Sequence, residues 1–296
     1  MRKRGTEMDH ILAVVDPADR ESFLRVVESI RKEHKIAEND YSNSQIYRFF
    51  RGQQKDSEKT IIAILANIEW RKTAPFKEAV DLDLKKFDLF FDHVHMGFYG
   101  LDFEGRPIRI IRPLNFDPEI LAVKYTVEDR FLYSLQSMER ILNIIFPLCS
   151  KKANRYIEGM ISIIDVDEIS VGKMLNGIGI MNAFKSHSTV LQDNYPEMAH
   201  KAIIINAGFL FTGLWNVVKV FMNKNTISKI TILGSDFMEE LLKFTTKDKL
   251  PKAMGGTCEQ HINNYPNFFA QEVAESIADK RLSFKASKDS DSVIKK

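Results

Sequence analysis

Three short runs rich in β-branched residues constrain this chain more than any other feature: Met160 to Val166, Ala202 to Ile205 and Lys229 to Leu233. Each reads as a strand buried on both faces, the pattern of a parallel sheet with helices packed against it. Segments of helix length precede the first run, at about Glu128 to Phe146, and separate it from the second, at about Ser170 to Asn194, and parallel neighbours need such crossovers. Alternation at Pro107 to Arg112 predicts another strand, approached through a turn at Asp102 to Pro107 that contains Gly105. From about residue 85, then, strands and helices alternate in an α/β layer.

The chain before that point has a different period. Asp16-Pro17 opens an amphipathic pattern with Phe23, Leu24, Val26, Val27 and Ile30 on one stripe. A second helix is expected at about Asn43 to Phe50. A third runs from Ser57 to Arg71, with Ser57 placed as its cap and Glu58 in the first turn. The expected organisation is a helical lobe over residues 1–80, an α/β domain over 85–275 and a polar tail over 280–296 with too little apolar surface to fold. Near the end of the domain, Ser235 or Asp236 is expected to cap a helix from Phe237 to Phe244.

Charge and composition remove several function classes. The chain has 296 residues, 42 basic and 40 acidic, so its net charge of +2 gives no bulk attraction to nucleic acid. Cys149 and Cys258 lack metal-ligand spacing and cannot form a disulfide framework, which leaves plain thiols in a reducing compartment. No stretch reaches the roughly 18 apolar residues of a membrane span, and the N-terminus lacks a signal core. A cytosolic protein is expected, with peripheral membrane contact still open. His93 and His95, two apart, would share one face of a strand, a spacing that suits metal ligands, but no third ligand is in view. Gly177-Ile178-Gly179 lacks the third glycine of a dinucleotide fingerprint, which falls on Asn182, and Gly234-Ser235-Asp236 lacks a nucleophile-elbow pattern. With no phosphate loop or carboxylate pair either, an enzyme is not expected.

One helix is too apolar for a sheet-packed position. Between Ala207 and Met222 the apolar residues cover an arc of roughly 240°, with Thr212, Asn216, Lys219 and Asn223 forming a narrow polar stripe. One-sided packing needs only about 100°. The helix is either sandwiched in a core or is a lid with one face on a ligand and the other on a bilayer. Lys219, Lys224, Lys229, Lys243, Lys247, Lys249 and Lys252 make this third of the chain basic, as a solvated charge run or as a weak docking surface for anionic membrane.

Around that helix lie Gln192-Asp193-Asn194-Tyr195-Pro196-Glu197, Lys201 to Asn206, Asn225-Thr226-Ile227-Ser228-Lys229 and Leu250-Pro251…Gly255-Gly256. Ahead of them come Tyr47-Arg48-Phe49-Phe50-Arg51, Glu69-Trp70-Arg71, Asp102…Gly105-Arg106-Pro107 and Ile163-Ile164-Asp165. In this order and spacing the chain resembles the CRAL-TRIO lipid-binding family, which includes phosphatidylinositol and phosphatidylcholine transfer proteins, over roughly residues 40–258. The resemblance implies a helical gate over an apolar lipid cavity, with Phe209, Phe211, Leu214, Trp215, Val218 and Phe221 on the gate and Ser162 in the pocket.

For the headgroup it implies Thr226, Lys229 and Glu197. The Arg-Lys pair of phosphatidylinositol-binding relatives falls on Gln53-Gln54, neutral donors about half as strong toward a phosphodiester, unless Arg48, Arg51 or Lys55 supplies the charge. Positions that are Tyr in choline-lipid binders align with Phe98 and Arg109, and a nearby Ser aligns with Leu191, so a dual-ligand exchanger is not expected. The resulting expectation is a monomeric carrier that holds one phospholipid, phosphatidylinositol before others, meets membrane surfaces transiently and needs no cofactor, metal or nucleic acid. The alternatives are a carrier of another hydrophobic ligand (sterol-like, retinoid-like or haem) and a scaffold presenting phosphatidylinositol to a kinase.

Overall fold

The computed structural model describes residues 6–114, 117–169, 189–222, 224–259, 269 and 271. The N-terminal part is built from helices whose starts are written in the sequence. Helix α1 (Glu7–Val14) begins on a capping box between Thr6 and Asp9. Asp16 caps a short 3-10 turn at Pro17–Asp19 that leads into α2 (Arg20–Glu28), and α2 runs on through a π-helical turn at Ser29–Glu33. Helix α3 (Asn43–Gly52) starts on a second capping box, Ser42 with Gln45. Helix α4 (Ser57–Thr73) is capped by Asp56, not by Ser57: the carboxylate one position earlier accepts from the Lys59 N–H, and Ser57 becomes the first helical residue. These helices share one core, in which Ile11, Phe23, Val26, Ile30, Ile46 and Ile64 are fully buried.

Two short helices, α5 (Phe76–Val80) and α6 (Asp88–His93), lead into the sheet. Strand β1 (Val94–Leu101) pairs antiparallel with β2 (Pro107–Pro113); β3 (Met160–Asp165), β4 (Ala199–Ile205) and β5 (Ile230–Ile232) then add in parallel, in the order β1-β2-β3-β4-β5. Helix α7 (Pro118–Lys124) and α8 (Val127–Arg140) follow β2. A π-helical turn at Ile141–Ile145 carries α8 into α9 (Phe146–Ala153), so the crossover is longer than the predicted Glu128 to Phe146. Of the expected helix from Ser170 to Asn194, residues 170–188, and with them Gly177, Gly179 and Asn182, lie outside the described residues; 189–194 are helical up to the bend at Tyr195.

The two faces of the sheet differ in chemistry. Ile108, Ile110, Ile161, Ile163, Ile203 and Ile205 point to one face and are buried under Phe237, Leu241, Leu250 and Met254 from the C-terminal segment. That segment folds back through Gly255, in the left-handed region at φ +78°, and Gly256, where any Cβ would sit 2.0 Å from the Leu250 carbonyl oxygen. Its helix is one turn, Met238–Leu241, with Phe237 at the cap position and no side-chain cap bond; Ser235 and Asp236 do not cap it. The opposite face carries Phe98 in contact with the α8–α9 core.

His93 and His95 do not share a strand face. His93 ends α6 and His95 lies in β1 opposite Arg112, so the chain turns between them. No group of three metal-ligating side chains is present among the described residues. Cys149 is buried, Cys258 is partly exposed, and neither is in a disulfide.

Candidate functional site

The segment Asn194 to Met198 is where the helical lobe meets the sheet, and each of its residues is used. Asn194 Oδ1 accepts from Asn67 of α4 at 2.9 Å. The Tyr195 hydroxyl donates to Glu139 at 2.5 Å, and its ring meets Trp70 edge-on at 5.9 Å. Glu139, 1% exposed, is held from the other side by Arg71 through two bonds of 2.9 and 3.0 Å. Pro196 packs on Gly52, where a Cβ would lie 2.8 Å from the proline Cβ. Met198 takes the guanidinium of Arg48, which also lies 5.2 Å from the centre of the Phe146 ring.

Glu197 gathers the charges. Its backbone is in the left-handed region at φ +61°, uncommon for a residue with a Cβ, and that turn aims the side chain at α3. One carboxylate oxygen pairs with Arg51 Nη2 at 2.8 Å; the other accepts from Lys229 Nζ at 2.7 Å and Asn225 Nδ2 at 2.6 Å. Burial alone would raise the Glu197 pKa, but the Lys229 hydrogen bond and the charges of Arg51 and Lys229 outweigh it and hold the carboxyl below its usual range. Arg51 also pairs with Glu158, which accepts from the Tyr156 hydroxyl at 3.0 Å. Burial works against the Arg51 charge, yet the two carboxylates hold its pKa above the ordinary guanidinium value.

The positions of these residues follow from local structure. Lys229 is fixed by the sheet, because its carbonyl accepts from Ala202 of β4. Thr226 sits in α11 (Lys224–Ser228), the one-and-a-half-turn helix just ahead of it, and its carbonyl accepts from the Lys229 N–H. Gln53 is the C-cap of α3, and Gln54 is exposed with φ +55°. Among the described residues neither glutamine forms a hydrogen bond to the charged cluster. Of the three cations named as replacements for the missing pair, Arg51 joins Glu197, Arg48 is buried against Met198 and Phe146, and Lys55 turns to Asp19 at 2.5 Å. Beside Arg51 the lobes leave a cavity of about 340 Å³ whose polar lining includes Lys55, Arg106, Arg155, Glu158 and His200.

The apolar helix is α10 (Phe209–Val218), followed by a 3-10 turn at Lys219–Phe221. Its first residue, Phe209, is 92% exposed, Val220 is exposed as well, and a Cβ on Gly213 would meet nothing within 4 Å. Phe211 and Trp215 are half-buried, and the side chains of Leu214, Val218 and Phe221 lie outside the described residues. Ser162 is buried on β3, in register with Arg109 of β2 on one side and Ala202 of β4 on the other; Arg109 in turn opposes Phe98 of β1. Sequence reasoning missed Glu158 and Asn225, whose only signal was proximity to β3 and to Thr226.

A family model for the CRAL/TRIO domain matches residues 91–256, more than half of the chain. The chain belongs to the CRAL/TRIO family. Among its relatives, the phosphatidylinositol/phosphatidylcholine transfer protein SFH12 of Arabidopsis thaliana is 31% identical over 270 residues, which cover 87% of this chain and 48% of SFH12. The Sec14 cytosolic factor of Schizosaccharomyces pombe is 27% identical over 223 residues, covering 73% of this chain and 75% of that protein. The chain thus spans about half the length, or less, of plant relatives such as SFH12, SFH4 and SFH7. The crystal structure of Sfh5 shares the fold, with a TM-score of 0.63 at 15% identity over 90% of this chain and 98% of that one. Within the CRAL/TRIO match lie Ser162, Glu197, α10, Thr226 and Lys229. Arg51 lies before it, so the charged cluster joins the CRAL/TRIO domain to the preceding helical lobe.

Proposed function

We propose that this chain binds one phospholipid and carries it between membranes, and that phosphatidylinositol is the lipid its charged cluster suits best. The observation that carries the reading is the convergence of Arg51, Lys229 and Glu197, with Thr226 in the short helix just ahead of Lys229, where Arg51 also lines a polar cavity. An inositol headgroup presents a phosphodiester to cations and a ring of hydroxyls to a carboxylate, and this cluster supplies both partners in one place. Arg51 provides the cation that Gln53 and Gln54 do not. The half-buried Phe211 and Trp215 belong, in this reading, to the wall met by the acyl chains, with Leu214, Val218 and Phe221 completing the gate, and Ser162 stands on the pocket side of the sheet.

The physical need for such a protein is large. Each methylene exposed to water costs about 0.8 kcal/mol, so two acyl chains cost on the order of 20 kcal/mol. A carrier lowers that barrier when a mobile element opens at the membrane. The exposed Phe209 and Val220 give α10 an apolar surface to insert, with Lys219 and Lys224 beside it to favour anionic bilayers. The reading is of a binding protein that works in the cytosol as a monomer and catalyses no reaction.

The test is transfer of phosphatidylinositol between vesicles by wild type and Lys229→Ala, with lipid extraction from both proteins. The expected result is a fall of about tenfold in transfer with circular dichroism unchanged; equal transfer by the two proteins rejects the headgroup assignment.

A further inference from the structure

The sheet face that bears Ser162 also bears a cation with no counter-charge among the described residues. Arg109 lies in the middle of β2, opposite Phe98 and in register with Ser162, so the three side chains leave the sheet on the same side. It is 9% exposed. Its Nη2 lies 3.0 Å from Met96 Sδ, and its Nε has no hydrogen-bond partner. The Tyr133 hydroxyl donates to the same sulfur at 3.2 Å. The arginines on either side of it in the chain find carboxylates: Arg106 reaches Asp102 and Glu104, and Arg112 reaches Asp165 and Glu168. Among the described residues Arg109 forms no such pair.

A guanidinium is always charged, carries five N–H donors and is poorly served by one thioether. Burying it without an anion is unfavourable, and a hydrophobic residue of similar volume would leave the fold more stable. We propose that Arg109 is the receptor for an anionic oxygen of the bound amphiphile, a phosphate or a carboxylate, seated beside Ser162. This deepens the lipid-binding reading above and rests on it.

Selectivity follows from the sign of the charge. Arg109 presents a fork that matches phosphate or carboxylate in a bidentate way, and the Ser162 hydroxyl stands one strand away as a further donor. In a site of low dielectric the same charge repels a quaternary ammonium group. A lipid with net negative charge therefore outcompetes phosphatidylcholine there. Phosphatidic acid and a fatty acid are the two sources of the anion that the test separates.

Delipidated wild type, R109K and R109M are incubated with vesicles containing equal parts of phosphatidylcholine, phosphatidylinositol and phosphatidic acid, and separately with phosphatidylcholine vesicles doped with oleate. The proteins are then repurified and their lipids quantified by mass spectrometry. The expected result for wild type is an excess of anionic lipid over phosphatidylcholine of at least tenfold relative to the vesicles. R109K should keep most of that excess, and R109M should fall to within about twofold of the vesicle composition. The lipid-free R109M protein should melt at or above the wild-type temperature. Enrichment of phosphatidic acid but not oleate identifies a phosphate ligand; the converse identifies a carboxylate. Wild-type protein that loads phosphatidylcholine in proportion to its abundance overturns the proposal, as does R109M with the wild-type preference. If R109M does not fold, the wild-type ratio decides. Failure of every protein to load any lipid overturns the lipid-binding reading itself and this inference with it.

Discussion

Replacing Glu197 by Gln keeps the shape of the central carboxylate and removes its charge. An amide keeps only one acceptor oxygen: turned to Lys229, at 2.7 Å in the wild type, it sets the NH2 group against Arg51, whose 2.8 Å bond is lost. A hydrogen bond to a charged group contributes about 1.5–3 kcal/mol net and a neutral acceptor is roughly half as strong, so losing one bond and halving the other costs about 2–4.5 kcal/mol. The Arg51 side chain is 32% exposed and retains Glu158, so water and the second carboxylate offset part of that, and about 2 kcal/mol is expected. The assay is urea unfolding in a W215F background, where Trp70, packed on Tyr195, is the only tryptophan and reports on the seam between the lobes. The pH dependence supplies the sign. Because the folded pKa of Glu197 is depressed, its stabilisation is fully present above the unfolded-chain value of about 4.3 and is lost as pH falls through the folded value. The stability gap between wild type and Glu197→Gln should be about 2 kcal/mol at pH 7 and should close on acidification past that folded value. Equal midpoints at pH 7, or a gap that persists in acid, refute the reasoning.

Gly52→Ala would gain about 1 kcal/mol at an open helical position, but here the new methyl meets Pro196 at 2.8 Å, so a net loss of about 1–2 kcal/mol in urea is expected, and a gain would contradict the packing. Phe209→Ser should leave stability within about 0.5 kcal/mol, since the ring is 92% exposed, yet weaken vesicle association about tenfold in a sedimentation assay, the equivalent of one phenyl group leaving the bilayer. Burial pushes the Cys149 thiol up to about 12, so Ellman's reagent should label one thiol, that of Cys258, in the folded protein and two in urea; rapid labelling of both would show that the α9 core opens.

The sequence displayed what is local. β-Branched runs marked β3, β4 and β5 to within a few residues, and the helical lobe was legible because its caps and apolar stripes follow short-range rules. Where two candidates competed at neighbouring positions, the pattern failed: Asp56 took the cap that Ser57 was expected to fill, and His93 stayed in a helix while His95 entered the strand. The π-helical turns at Ser29–Glu33 and Ile141–Ile145 have no signature in periodicity, since one extra residue in a turn barely moves an apolar stripe. The site divides in the same way. Lys229, Thr226 and Glu197 were visible as motif residues, whereas the partnership of Arg51 with Glu197 and Glu158 joins positions more than a hundred residues apart and is set by how α3 docks on the loop after Tyr195. The orphaned guanidinium of Arg109 was equally hidden, because only the paired strands reveal that it sits beside Ser162 with sulfur for a neighbour.

The charged cluster also orders events during synthesis. Arg51 leaves the ribosome early, Glu158 and Glu197 much later, and Lys229 last. At about 5–20 residues per second the wait from Arg51 to Lys229 is on the order of tens of seconds. Through that interval the helical lobe has its own apolar core and takes up Glu139, Phe146 and Glu158 as they emerge, while Gly52 and Asn67 still lack the loop that begins at Asn194. A nascent chain stalled before Asn194 would hold the lobe against an unfinished sheet with half of the seam made. Glu197 and then Lys229, beside the last parallel strand of the described residues, would complete the cluster and close the other half.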